Sequence, residues 1–176
     1  MCGIVFAYSH NPALVNEIPD ELALKGIKHR GPDGQRVVRP HGGVLIGHTR
    51  LAIRGVETGS QPFESENVIT VVNGEIYNYK ELVEPGTRVK SDCEVLHLLA
   101  SRKSPRELVT CAHKPKGMFG WLSYYPNTRH LFTAVDTFGQ KPLYKYEDRD
   151  IIIYSSEING IRCLLSGIGT VSYTHL

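Results

Sequence analysis

The chain lacks the features of a secreted, metal-clamped or membrane protein. Its four cysteines, Cys2, Cys93, Cys111 and Cys163, lie far apart with no C-x-x-C pair, so neither a zinc knuckle nor a disulfide framework is suggested. Nor does any run approach the roughly 20 apolar residues that a membrane helix requires, and there is no N-x-Ser/Thr acceptor. The apolar stretch Cys2 to Tyr8 has no basic flank and is cut short by Ser9-His10-Asn11-Pro12, which reads as a strand and not as a leader. A net charge of +2 gives no reason to expect a nucleic-acid or membrane partner, so a small molecule is expected instead. The eight histidines show no H-E-x-x-H or similar spacing, and no metal is expected. Together these absences favour a reducing, cytoplasmic setting.

The 176 residues, 41% hydrophobic and 22% charged, suffice for one domain with a substantial core. After the first strand, Val15, Ile18, Leu22, Leu24 and Ile27 recur at helical spacing, predicting one helix around Leu14 to Ile27. The loop His29 to Gly34 contains the turn signal Pro32-Asp33-Gly34. Strand patterns follow at Val37-Val38, Gly43 to Ile53 and Val68 to Val72, the last closing at Asn73-Gly74, a turn dipeptide that predicts a strand end there. Ser91-Asp92-Cys93-Glu94 fits a capping box, with Ser91 as N-cap and a helix behind it carrying Val95, Leu96 and Leu99. Strands are expected at Met118 to Tyr125, Leu131 to Val135, Leu143 to Tyr146 and Ile151 to Tyr154, and a last helix from Glu157 to Leu165. With no repeat, linker or low-complexity tract, this order predicts an α+β fold with antiparallel sheets.

One residue carries unusual chemistry. Cys2 directly follows the initiator methionine, and removal of Met1 would give it both a thiol and a free α-amine. A thiol is nucleophilic only as thiolate, and an amine with a reference pKa of roughly 7.7–8.0 suits taking up its proton near neutral pH. Small side chains at position two permit that removal. The alternative is an ordinary strand cysteine.

Cys2 does not stand alone. Met1 to Ile4, His29 to Gly34, His48 to Ile53, Asn73 to Tyr79, Ser91 to Leu96, Asp136 to Tyr144 and Ser155 to Ile158 together resemble the class II glutamine amidotransferase domain. This is the N-terminal nucleophile hydrolase half of glutamine-hydrolysing asparagine synthetases. The resemblance implies a four-layer αββα sandwich of two antiparallel sheets between helices, with Cys2 at the start of a central strand. It further implies that Cys2 attacks the side-chain amide of glutamine, and that the side chain of Asn73 and the backbone N–H of Gly74 hold the resulting oxyanion. Arg50, with Leu51 beside it, would receive the substrate's α-carboxylate, and a guanidinium's planar fork suits that partner. Glu75 and Asp92 would face the α-ammonium, although an acidic residue at position 92 also suits a helix N-terminus. The loop Arg30 to Gly34 receives no chemical step and would shape the pocket wall, while Asp136 to Tyr144 and Ser155 to Ile158 would be scaffold.

Cys93 and Thr137 depart from the family, where threonine and arginine are usual; the Cys93 thiol is expected to pack inertly. A complete asparagine synthetase also continues into a domain that uses ATP and magnesium through a Ser-Gly-Gly-x-Asp-Ser loop, which is absent here. The glutaminase step needs no cofactor. The expected organisation is an amidotransferase domain over residues 1–170, truncated at its C-terminal end, and a non-native-looking tail over 171–176. The expected partners are glutamine and a synthetase domain, in cis or in trans. A stand-alone glutaminase subunit serving another ammonia acceptor and a non-catalytic glutamine-binding domain are the alternatives.

Overall fold

The computed structural model describes residues 1–52 and 59–169. The predicted end of the strand at Ile53 and the tail 171–176 lie outside the described residues.

Five strands, β1 (Gly3–Ser9), β2 (Gly34–Val38), β3 (Val44–Arg50), β8 (Tyr144–Glu147) and β9 (Ile151–Ser155), form one antiparallel sheet in the order β2-β3-β1-β9-β8. Four more, β4 (Phe63–Glu64), β5 (Ile69–Ile76), β6 (Gly117–Tyr125) and β7 (His130–Val135), form a second in sequence order. Helices α1 (Pro12–Asn16), α2 (Asp20–Lys25) and α5 (Ile158–Gly167) cover the outer face of the first sheet, and α3 (Glu94–Ser101) and α4 (Pro105–Cys111) cover that of the second. The result is the expected four-layer sandwich, with Cys2 immediately before the central strand of the five-stranded sheet.

The two-residue period of a strand explains the layering. Along β1, Val5 and Ala7 pack with Val15, Ile18, Leu24 and Leu164 of the helix layer, while Ile4 and Phe6 pack between the sheets. The inter-sheet layer is completed by Val44 and Ile46 of β3, Ile69 and Val71 of β5, and Leu122 and Tyr124 of β6. On the far side, Val72, Ile76, Phe119 and Trp121 meet Val95, Leu96, Ala100 and Leu108.

Three local expectations are corrected. The single helix over Leu14 to Ile27 is two helices, because Pro19 lacks an N–H donor and restricts Ile18 before it; Pro19 instead stands at the N-cap of α2. Asn73-Gly74 does not end a strand, since β5 runs on to Ile76 with Asn73 opposite Gly120 and Gly74 opposite Phe119. A Cβ at Gly74 would lie 2.0 Å from the Met118 carbonyl oxygen, so glycine here serves the close approach of β6 and not a reversal of the chain. Nor does Ser91 cap α3: the helix begins at Glu94 with Cys93 at its N-cap and no capping side chain, and the Glu94 carboxylate accepts from the Lys90 N–H. A capping box does occur at α4, where Ser104 Oγ accepts from Glu107 N and Glu107 Oε2 accepts from Ser104 N at 2.8 Å.

His48 lies on β3 with the parity of Val44 and Ile46 and is 1% exposed. Burial lowers its pKa to about 4, with the Arg50 charge acting the same way and a backbone contact to Val72 opposing. Its folded pKa is therefore below the unfolded value of about 6.5, so the unfolded chain binds the proton first and stability falls as pH drops from about 6.5 toward about 4. We expect urea denaturation of the wild type to lose on the order of 3 kcal/mol more across that window than His48→Gln does. Parallel pH dependences in the two proteins would contradict this.

Candidate active site

The same alternation that builds the inter-sheet core also builds a polar end to it. Cys2 shares the parity of Ile4 and Phe6, and lies one position beyond the Gly3↔Thr49 pair, beside Arg50, which shares the parity of Val44, Ile46 and His48. Across the sandwich, Asn73 and Glu75 continue the face of Ile69 and Val71, and Met118, opposite Glu75, continues that of Leu122 and Tyr124. Cys2, Arg50, Asn73, Glu75 and Met118 line one open cleft. Cys2, Arg50, Leu51, Asn73, Gly74, Glu75 and Asp92, all the residues singled out in the sequence, meet in it.

Cys2 Sγ receives the Leu51 backbone N–H at 3.4 Å. Burial pushes the thiol pKa up; the Leu51 N–H, the terminal amino group and the Arg50 and Arg30 guanidiniums pull it partly back. With Met1 in place the surroundings therefore leave Cys2 more protonated than a free thiol, and a nucleophile here needs a base.

Asn73 is 1% exposed, yet its Nδ2 has no hydrogen-bond partner among the described residues. An orphaned amide donor is costly unless a ligand completes it. Ser91, another residue of the cleft, has its Oγ orphaned likewise. Asp92 is 7% exposed and its Oδ2 accepts from Ile76 N at 2.8 Å, which fixes the carboxylate against the end of β5. Cys93 Sγ donates to the Gly74 carbonyl at 3.3 Å, and burial holds its pKa well above the ordinary value, with Asp92, Cys2 and Glu75 adding to the effect. The Cys93 thiol thus anchors Gly74.

Two segments read as wall or scaffold contribute directly. Arg30, in the 3-10 turn Lys28–Arg30, donates from Nε to the Cys2 carbonyl at 2.8 Å and from Nη1 to Glu157 Oε1 at 2.7 Å. Burial opposes ionisation of Glu157, but the hydrogen bonds from Arg30 and His29 outweigh it and hold its carboxyl below the usual range. Glu157, the N-cap residue of α5, thereby ties the Cys2 backbone to the helix layer. Asp136 accepts four backbone N–H groups, from Phe119, Phe138, Gln140 and Lys141, at 3.0–3.2 Å, and these bonds outweigh burial to keep it ionised. The loop it cages presents Lys141 to the cleft. The juxtaposition of Arg30 with Cys2 had a trace in the sequence, because the resemblance placed the loop Arg30 to Gly34 at the pocket wall. Lys141 had none.

Among the described residues no group of three or more His, Cys, Asp or Glu side chains is arranged to hold a metal ion. No helix of the described residues is long and apolar enough to cross a membrane.

This sandwich, with a thiol at the head of its central strand, is the architecture that the resemblance implied. The chain belongs to the glutamine amidotransferase domain family, whose model matches residues 1–170. It is 36% identical over 166 residues to asparagine synthetase [glutamine-hydrolyzing] 1 of Bacillus subtilis, covering 89% of this chain and 26% of the relative. It is 34% identical over 173 residues to a probable asparagine synthetase [glutamine-hydrolyzing] of Schizosaccharomyces pombe, covering 92% and 30%. The chain thus spans about a quarter to a third of the length of these relatives. The solved structure of glutamine phosphoribosylpyrophosphate amidotransferase from Bacillus subtilis superposes with a TM-score of 0.70 at 20% identity, covering 96% of this chain and 44% of that one, a likeness of fold.

The thiol environments predict a labelling order. Brief iodoacetamide treatment followed by peptide mass spectrometry should modify the half-buried Cys2 and Cys163 and spare the buried Cys93 and Cys111. Equal labelling of Cys93 and Cys2 would contradict the packing described.

Proposed function

We propose that this chain is a glutaminase, hydrolysing glutamine to glutamate and ammonia through a thioester on Cys2. The observation that carries the reading is the buried, unpartnered Nδ2 of Asn73 in the cleft that holds the Cys2 thiol.

Removal of Met1 exposes the Cys2 α-amine, which takes the thiol proton as Sγ attacks the amide carbon of glutamine. The carbonyl oxygen becomes an oxyanion, and Asn73 Nδ2 and the Gly74 N–H are the donors that receive it. The gain lies in their being fixed beforehand: β5 holds both in strand geometry, and Cys93 anchors Gly74. As the C–N bond breaks, the protonated amine returns its proton to the leaving nitrogen and ammonia departs. Water, deprotonated by the same amine, then opens the thioester, yielding glutamate and the free thiol. Arg50 holds the substrate's α-carboxylate, with Leu51 beside it, while Glu75 and Asp92 balance the α-ammonium. Arg30 fixes the Cys2 carbonyl, and so the direction in which the amine and thiol point.

The names of the relatives support a place for this chemistry in asparagine synthesis; on the family resemblance, the ammonia would pass to an adenylylated aspartate in a synthetase domain, in cis or in trans. ATP and magnesium belong to that domain and enter no step here. The pairing suits the cytoplasm.

Ammonia release from glutamine by the Met1-free chain tests the reading. Cys2→Ala should abolish it, and Asn73→Ala should lower kcat by about 10²–10³-fold, the usual cost of one oxyanion donor. Release by Cys2→Ala equal to the wild type would overturn the proposal.

A further inference from the structure

Lys141 is 8% exposed, and its Nζ has one hydrogen-bond partner among the described residues, the thioether sulfur of Met1 at 2.9 Å. A thioether is a weak acceptor, and burying an ammonium against one is unfavourable without a further reason. Its partner is also the residue whose removal the proposed chemistry requires. The mature chain would therefore hold a cation, unpaired by any described carboxylate, close to the nitrogen that Met1 leaves behind. The Met1 side chain and peptide bond span at most about 6 Å from Sδ to that nitrogen, so the ammonium lies within about 9 Å of it.

The position is enforced. The backbone N–H of Lys141 donates to Asp136 Oδ2 at 3.0 Å, and Pro142 follows it. Gly120 leaves room for the segment, since a Cβ there would lie 3.2 Å from the Lys141 carbonyl oxygen. In a cleft walled by protein an ammonium acts through a lower effective dielectric than in bulk water.

We propose that Lys141 is a positioning residue of the glutaminase site, whose ammonium keeps the Cys2 α-amine neutral and so able to accept the thiol proton. The inference rests on the glutaminase reading for its purpose, but not for its electrostatics. Around the amine, the described charged and titratable groups are Arg30 from the 3-10 turn, Arg50 from β3, Glu75 from β5, and Asp92 and Cys93 before α3. Arg30 is paired with Glu157, and Asp92 is engaged by the Ile76 N–H. Glu75 and Asp92 raise the amine's proton affinity in the empty site, and Lys141 opposes them. When substrate binds, its ammonium neutralises the two carboxylates and the lysine's effect on the base grows.

The test is a pH titration of the α-amine nitrogen by NMR in Met1-free protein labelled with [15N]cysteine, alongside the pH dependence of kcat/KM for ammonia release. Lys141→Met should raise the amine's midpoint by about half a unit or more, move the acidic limb of kcat/KM upward by the same amount, and recover toward wild-type rates at high pH. Lys141→Arg should leave both near the wild type. Lys141→Gln, with a polar head of similar length, repeats the measurement should the methionine variant fold poorly. An unmoved midpoint in Lys141→Met or Lys141→Gln, or a loss of rate that is uniform across pH, would overturn the proposal. A midpoint that moves in a protein that releases no ammonia would sink the glutaminase reading and leave the electrostatic assignment standing.

Discussion

Everything in this molecule depends on two antiparallel sheets packed face to face with their alternation in phase. Ile4, Phe6, Val44 and Ile46 from one sheet and Ile69, Val71, Leu122 and Tyr124 from the other exclude water between them. Because the side-chain period is two, the same faces continue outward and must bring Cys2 and Arg50 opposite Asn73, Glu75 and Met118. A register slip of one residue would send every one of these groups to a helix layer. The cleft is thus the polar end of the core, and the stability of the sandwich and the geometry of the site share one cause.

Alternation fixes the strands but not the segments between them, and a second tier of hydrogen bonds holds those. Arg30 connects the carbonyl of Cys2 to Glu157 across the first sheet, and Asp136 gathers four backbone N–H groups around the turn that carries Lys141. Asp92 reaches back to Ile76, and Cys93 to Gly74, so the approach to α3 is fastened to β5. Each tether places a charged or donor group at the cleft while satisfying a partner elsewhere. Of the five buried side-chain atoms left without a partner among the described residues, Arg39 Nε, His48 Nε2, Asn73 Nδ2, Ser91 Oγ and His97 Nδ1, two belong to residues that line the cleft, Asn73 and Ser91.

Periodicity alone reached an α+β fold with antiparallel sheets, while the four layers and the central position of Cys2 were legible only through the family resemblance that the ordered motifs carry. Local turn and cap signals misled where tertiary contacts compete with them. Asn73-Gly74 is a turn dipeptide by propensity, but β6 approaches so closely at Gly74 that the missing side chain serves packing instead. Ser91 and Glu94 have the spacing of a capping box, yet Ser91 lines the cleft and Glu94 turns to Lys90, because the residues before α3 are committed to the site. The single helix expected from the spacing of Val15 to Ile27 ignored Pro19, a backbone constraint that periodicity does not weigh. Lys141 was hidden for a different reason: nothing in a local window reveals that a lysine after a glycine turn folds back over the first residue of the chain.

The central claim is that these contacts serve a nucleophile that becomes competent when its own amine is free. Intact mass spectrometry after exposure to a glutamine analogue bearing an alkylating group measures this directly, on chains with and without Met1. The account predicts one adduct on the Met1-free chain, mapped to Cys2 and blocked by excess glutamine, and little or none on the Met1-bearing chain. Equal modification of both chains, or an adduct on another cysteine, would contradict it.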